Sequence, residues 1–484
     1  MAWTNFHPTR RSGDRDRLDA RVWLLAGIVM LGNGMTLLNT TTVNVAFDTI
    51  SREMRAPIPV AQWTITAYLL ALATVIPVAG WAVDKFGARH LWMFAITVFL
   101  LGSALSGLAW SMPSLISFRA LQGVGGGLIV PLSQTILAKA AGPARLGRVM
   151  GLLGIVTVLG PVLGPVIGGA LVQDLNWRWI FYVNVPLGII ALLTARLLPE
   201  DRSPRNTPFD VPGLIATSAG LAGLVFGVSR AGADRGFGAP MTYLPILLGC
   251  LCLAWFARHS LRRGTGSLID VRLFGNRNFA AAALFLSLAG SVVMGGQLLL
   301  PLYNQVVRGT GALEAGILLA PQGIGVAVAT ALAGRLTDRF GPRVVVLPGL
   351  ALLFLGTAAY TQFTAHTPAM WLGIALVVRG IGIGCVITPA SAAAYVSLRA
   401  EHVARAASAL TSIQQTGGLI GSAAIATVLA AQLDRSGAPT AFADTFWIAA
   451  AVAVVIAVPA MRLSNAATTT SHRKTREEST WTTR

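Results

Sequence analysis

The sequence predicts an all-α polytopic membrane protein, built as two six-helix bundles with two extra helices between them. Three observations carry that prediction. Apolar residues make up 54% of the 484 and charged residues only 12%, about half the charged share of a soluble domain. Cutting the chain at every Asp, Glu, Lys and Arg leaves fourteen uninterrupted stretches of 17 or more residues. A helix needs about 20 apolar residues to cross the hydrocarbon core of a bilayer. A ten-residue turn at 80–89 also recurs at 334–343, so the chain reads as a duplication.

The same composition excludes other classes. Low charge with high hydrophobicity excludes a disordered chain. Three cysteines (Cys250, Cys252, Cys385) exclude a disulfide-stapled domain. The 52 glycines and 24 prolines suit membrane helices, where neighbours satisfy the freed backbone groups.

The stretches, in order, are 22–47, 56–83, 91–118, 120–138, 149–173, 179–195, 211–229, 236–257, 278–307, 315–334, 344–378, 380–398, 406–433 and 445–461. Each fits one span. The fourth helix is predicted to start near Met112 and to contain Arg119. Thr364, His366, Thr367 and Pro368 mark a turn inside 344–378, so the twelfth helix starts near 369 and runs through Arg379.

Basic residues set the orientation. The tails and the loops after even-numbered spans hold 28 of the 37 Lys and Arg, the other loops seven, and Arg119 and Arg379 lie inside helices. Both termini are therefore expected on the cytoplasmic side of the inner membrane. This bias accounts for the net charge of +18. No stripe or recognition helix gathers the charge, so nucleic acid is not expected as a partner. The polar residues 1–21 followed by a long apolar run do not read as a signal peptide.

The organisation reads as six, two and six. A cytoplasmic tail (1–21) precedes a six-helix bundle (22–198). A linker region with the two extra helices follows (199–277), then a second bundle (278–462) and a disordered cytoplasmic tail (463–484). The repeat matches Gly80, Asp84, Lys85, Gly87 and Arg89 with Gly334, Asp338, Arg339, Gly341 and Arg343. Arg119, with Gly123 and Gly125, is echoed by Arg379, with Gly380, Gly382 and Gly384. Duplicated bundles flanking a central path are a transporter architecture.

Further motifs follow in order. The fourth span carries Arg119-Ala120-Leu121-Gln122-Gly123-Val124-Gly125. The fifth carries Gly160-Pro161-Val162-Leu163-Gly164-Pro165, ending in Gly168-Gly169. Trp177-Arg178-Trp179 and Asn184-Val185-Pro186 come next, and Gln414-Gln415-Thr416-Gly417-Gly418 lies in the second half. With the 80–89 turn, these resemble the major facilitator superfamily, and more narrowly its fourteen-span drug:proton antiporters. The resemblance implies a major facilitator fold. It also implies secondary export of drug-like or other amphipathic small molecules, driven by protons through alternating access.

Roles for single residues follow from that resemblance and from their chemistry. Gly80, Asp84, Gly87 and Arg89, with Asp338 and Arg339 in the repeat, are expected to gate the conformational change. The resemblance makes the first turn a latch of the outward-facing state; the plainer reading is that its basic residues only set topology. Gly160, Pro161, Gly164, Pro165, Gly168 and Gly169 are expected to form a flat, bent helix at a moving seam between the bundles. Arg119 is costly inside a bilayer unless it faces a partner or a polar cavity. The alternative is an arginine snorkelling at the membrane edge. Polar side chains of the substrate path are expected to be Asn39, Thr40, Asn44, Arg119, Gln122, Gln297, Tyr303, Gln305, Gln414 and Gln415.

At one position the chain departs from the family. The first-span motif Asn39-Thr40-Thr41-Thr42-Val43-Asn44 has Asn39 where the family carries an acid. None of the 19 acids falls near the middle of a span. Coupling then rests on Asp48, Glu314 or Asp444, with Arg119 tuning an acid's protonation. Asp48 lies about 13 Å from Asn39 along a helix at 1.5 Å per residue, and a helix-end acid without a role is its plainer reading.

The six histidines and three cysteines make no metal spacing, and no Walker sequence is present. No enzyme, no cofactor and no ATP are therefore expected. The expected partners are a small-molecule substrate, protons and the lipid bilayer, and the expected state is a monomer. An uncoupled facilitator of the same fold remains open, as does a non-transporting membrane sensor or scaffold.

Overall fold

A computed structural model describes residues 19–463 apart from 62, 142–144, 201–207, 234–237, 311, 397, 399–401 and 434. The two polar tails lie almost wholly outside the described residues. Among the described residues the chain is helical, with no strand. The first half runs through α1 (Ala20–Glu53), α2 (Ile58–Ala61), α3 (Trp63–Val75), α4 (Val78–Phe86), α5 (Ala88–Gly107), α6 (Met112–Ala141), α7 (Leu146–Asp174), α8 (Trp179–Tyr182) and α9 (Asn184–Thr194). A hairpin of α10 (Val211–Ala233) and α11 (Pro240–Arg263) follows. The second half runs through α12 (Arg277–Val306), α13 (Ala312–Leu318), α14 (Ala320–Phe340), α15 (Pro342–Ala358), α16 (Ala369–Val396), α17 (Val403–Leu433), α18 (Ala438–Val455) and α19 (Ala457–Ala460).

The chain is a multi-pass membrane protein. Among the described residues, twelve helical segments are long and apolar enough to cross a bilayer, and the bent pair α3–α4, taken as one span, makes a thirteenth. α7 is a further helix of 29 residues, several of whose side chains lie outside the described residues. α6 starts at Met112 and α16 at Ala369, where the sequence places them. Two spans differ from the sequence reading. α1 runs on past Asp48 to Glu53, because backbone hydrogen bonding does not stop at the first charge. The second span breaks into α3 and α4, bent by 56°. Pro77 sits at that break; it has no N–H to donate and its ring obstructs the preceding turn.

Each half has its own core. Trp92, Phe99, Ile129 and Leu132 are fully buried in the first, and Phe279, Phe285, Val346 and Leu353 in the second. Glycines set the helix spacing. A side chain at Gly125 would strike the backbone of Phe99 on α5, and one at Gly123 the carbonyl of Tyr68 on α3. Gly380 and Gly382 do the same for α16 against α14 and α15. The result is the two-bundle architecture. Across the halves, α7 packs along α14, and α17 packs on α4 and α6. The α10–α11 hairpin lies against α3 and α17. Phe209, just before α10, packs its ring at a tilt against Trp81 of α4 (4.4 Å), and within the hairpin Asp210 Oδ1 sits 2.8 Å from His259 Nε2.

Candidate transport site and inter-bundle seam

Arg119 lies inside the first bundle with 1% of its surface exposed. Its Nε donates to the Thr64 carbonyl (3.0 Å), and its Nη1 donates to Gln122 Oε1 (2.5 Å). Gln122 Nε2 in turn donates to Asn39 Oδ1 (3.1 Å). The guanidinium carbon lies 4.3 Å from the ring centre of Tyr68. Gly102 makes room for this chain, since a side chain there would strike the Gln122 backbone. The relay Arg119–Gln122–Asn39 therefore links α6 to α1 and ends on the amide that replaces the family's acid. Snorkelling does not describe this arginine.

Arg379 repeats the arrangement in the second bundle, also 1% exposed. Its Nη1 donates to Gln322 Oε1 (2.7 Å), its Nε to Thr357 Oγ1 (3.3 Å) and its Nη2 to the Val292 carbonyl (3.2 Å). The offset of 254 that aligns the repeated turns also aligns Gln322 with Tyr68 (322 − 254 = 68). The same position thus offers an aromatic face in one half and an amide oxygen in the other. Among the described residues, both guanidinium groups donate to neutral acceptors.

The seam between the halves is polar at the end that carries the repeated turns. Asp84 Oδ2 accepts from Arg405 Nε at 2.9 Å, with side chains only 9% and 6% exposed. Asp338 Oδ1 accepts from the Gly147 N–H (2.9 Å), and its Oδ2 lies 3.4 Å from Arg148 Nε. The two contacts are related by the duplication: Asp338 is 254 residues after Asp84, and Arg405 is 257 after Arg148. Each acid ends the second span of its own half and meets the first turn of the fifth span of the other. The glycines repeat too. A Cβ on Gly80 would come within 2.9 Å of the Arg405 Cα, and one on Gly334 within 2.9 Å of the Arg148 Cα. Gln134 adds a bridge, accepting from Tyr395 Oη (2.9 Å) and Thr411 Oγ1 (3.2 Å), and Ser408 Oγ donates to the Ile76 carbonyl. This end of the molecule is closed.

α7 carries two small-residue stripes, and the sequence reading singled out the one that does not face the seam. Gly160, Gly164 and Gly168 lie against Leu37, Thr41 and Thr42 of α1, inside the same bundle. Thr41 Oγ1 donates to the Gly160 carbonyl (3.2 Å). The seam is formed by Gly147, Gly151 and Gly154, which lie against Gly334, Thr330 and Asp338 of α14. Helical spacing separates the stripes onto different faces of one helix. The side chains of Pro161 and Pro165 lie outside the described residues, and Gly169 is half-buried.

The other predicted residues separate. Asn39 and Gln122 are buried in the relay, whereas Gln297 and Gln305 are exposed and Thr40, Gln414 and Gln415 half-buried. Tyr303 joins Tyr360, Phe442 and Phe446 in an aromatic core, its hydroxyl donating to the Thr364 carbonyl (3.3 Å). The side chains of Asn44 and Asp48 lie outside the described residues. Glu314 is exposed and Asp444 half-buried, and neither touches either arginine. Arg89 pairs with Glu200 (2.6 Å), Gly87 takes a positive φ of 78° at the turn, and Arg339 is exposed. The sequence reading missed Arg405, Arg148, Gln322 and Tyr68. The repeat pairs Gln322 with Tyr68 and Arg405 with Arg148, but only once one member of a pair is known to matter.

Comparison with known proteins fits this geometry. A sequence profile described as Major Facilitator Superfamily matches residues 29–422 and 323–483. The chain is 40% identical over 434 residues to the multidrug resistance protein B homolog of Mycobacterium tuberculosis (strain ATCC 25618 / H37Rv), covering 88% of this chain and 80% of that one. It is 32% identical over 457 residues to the puromycin resistance protein pur8 of Streptomyces alboniger, covering 92% and 90%. The fold is similar to the crystal structure of the human organic anion transporter MFSD10 (TM-score 0.63, 16% identity, 92% and 99% covered). It is also similar to the proton:xylose symporter XylE (TM-score 0.61, 15% identity, 90% and 94% covered).

Proposed function

The chain belongs to the major facilitator superfamily, a family of small-molecule transporters, and from that premise we propose that it is a secondary exporter of drug-like amphipathic molecules. The reading has fourteen spans, α7 completing the thirteen, with both termini on the cytoplasmic side of the inner membrane. Residues 22–198 and 278–462 rock against each other, and α10–α11 stay outside the path. The observation that carries it is the reciprocal pair of contacts Asp84–Arg405 and Asp338–Arg148. They close one end of the seam from both sides at positions related by the duplication, an arrangement suited to a two-state rocking device. The basic bias makes that end cytoplasmic, so the closed state described here faces outward. The names of the relatives from Mycobacterium tuberculosis and Streptomyces alboniger support export of drugs.

Proton antiport is the coupling this reading adopts. Asn39 at the end of the Arg119 relay favours a second reading, an uncoupled facilitator, since an amide carries no proton at physiological pH. Reconstituted vesicles with an imposed pH gradient and no substrate gradient separate the two. With puromycin as first substrate, antiport gives uphill accumulation in the acidic interior that a protonophore abolishes. Accumulation that stops at equal concentrations under every gradient supports the facilitator. No movement of any drug in a panel would refute transport of this substrate class.

A further inference from the structure

A second feature lies away from the seam, on the outer face of the second bundle. A groove of about 720 Å³ runs between α12 and α19, lined by Phe274, Arg277, Ala281, Leu284, Val458 and Arg462 among others. Its volume falls in the range of ligand-binding clefts. Arg277 opens α12, and Arg462 follows α19 by two residues. Chain connectivity puts both at the end that carries the basic turns. Leu284 and Val458 are each 54% exposed, turning an apolar wall outward. Among the described residues, neither guanidinium has a hydrogen-bonding or ionic partner. The first amides of α12 do not compete for a ligand, because Asn276 Oδ1 already accepts from Asn278 and Phe279.

This is a two-part surface, with cations at one end and hydrocarbon along the rest. A free anion would use only the arginines, and an apolar solute only the wall. An anionic phospholipid matches both at once. Its phosphate carries the charge that a guanidinium fork binds in two parallel hydrogen bonds, and its acyl chains match the wall. The level is right as well, since basic residues at the end of a span meet the headgroups. The groove lies off the seam, which is formed by α4, α6, α7, α14, α16 and α17, and at the first turns of α12, Arg277 to Leu284, well before Gln297, Tyr303 and Gln305 on the same helix.

We infer that this groove binds one anionic phospholipid, its phosphate held between Arg277 and Arg462 and its acyl chains lying over Leu284 and Val458. The test uses the full-length protein, with native mass spectrometry after titration of phosphatidylglycerol or phosphatidylcholine of identical chains. The wild type should retain one phosphatidylglycerol in preference to phosphatidylcholine. Arg277→Gln and Arg462→Gln should each weaken that binding about fivefold, and the pair more than tenfold, the loss expected for removing a cation next to an anionic headgroup. Arg258→Gln, an exposed α11 arginine outside the groove, should leave it unchanged. Equal retention of the two lipids would overturn the site. So would an Arg258→Gln loss as large as that of Arg277→Gln, which would mean diffuse attraction. Inorganic phosphate displacing the lipid at equal concentration would also overturn it, since the chains would then contribute nothing.

Discussion

Asp84 and Asp338 occupy the same place in the two repeats, yet they close the seam by different chemistry. Asp84 is held by the Arg405 guanidinium at 2.9 Å, in a pair of which each member is less than a tenth exposed. Asp338 takes its short bond from a backbone N–H, and its arginine stands off at 3.4 Å. The first contact depends on charge, the second mainly on an acceptor oxygen. Removing one partner of a buried ion pair leaves the other charge uncompensated, at a cost of about 3–5 kcal/mol. Losing a hydrogen bond to a charged group costs less, about 1.5–3 kcal/mol. A duplicated device has thus become a strong clasp on one side and a weaker one on the other, and the two halves need not open with equal ease.

Substitutions at the turns should rank in a definite order. The largest effect is expected from Gly80→Val and Gly334→Val. A Cβ at Gly80 would come within 2.9 Å of the opposing backbone and one at Gly334 within 2.6 Å, so either side chain holds the seam open. Drug transport per inserted protein should fall at least tenfold in both, equally, because the glycine geometry is the one part that the halves share. Retained activity in either would mean that closure does not need that approach. Asp84→Asn comes next, with normal insertion and a transport loss of roughly tenfold or more, from the ion-pair cost above. Asp338→Asn should lose only a few-fold, since the amide oxygen still accepts from Gly147. Equal losses for the two Asn variants would erase the asymmetry.

The smallest change is expected from Asn39→Asp, and it bears on the second comparison, between the two arginines. A carboxylate at 39 meets the end of the Arg119 relay, where an opposite charge nearby keeps it ionised. Proton-driven accumulation should rise modestly if a latent pathway remains, while downhill exchange stays near wild type. The Arg379 network contains no such opening, because Gln322 and a backbone carbonyl already occupy the acceptor positions. Vesicle uptake with and without a pH gradient reads the difference. An unchanged gradient response would leave the relay as structure alone.

Much of the fold was legible because a bilayer imposes hard rules on sequence. Charge is costly in the hydrocarbon without a partner, so the uninterrupted stretches marked most spans, while α6 from Met112 and α16 from Ala369 had to be read through Arg119 and Arg379, the latter with the help of the turn at 364–368. The bend at Pro77 and the extension of α1 to Glu53 escaped that rule, since it reads where charges fall and not where backbone hydrogen bonding bends or ends. Arg119 stood out for the same reason that the spans did. Arg405 did not, because in sequence it is one basic residue in a loop among many. Its role is tertiary, created by the Gly80 approach from the other half. The stripe at 160–168 was visible as small residues, but composition cannot say which neighbour a small face meets. Here it meets α1, while Gly147, Gly151 and Gly154 form the seam.

The Asp84–Arg405 pair holds the closed seam by charge. The most direct measurement is a swap cycle on drug transport in reconstituted vesicles, normalised to inserted protein, with Asp84→Arg, Arg405→Asp and the two combined. Each single reversal should lose at least tenfold, since it leaves two like charges facing each other in a buried contact. The combined variant should recover a substantial part, with an interaction energy well beyond the roughly 0.5 kcal/mol within which independent sites add. Losses that simply multiply in the combined variant, or single reversals that transport like the wild type, would contradict the account.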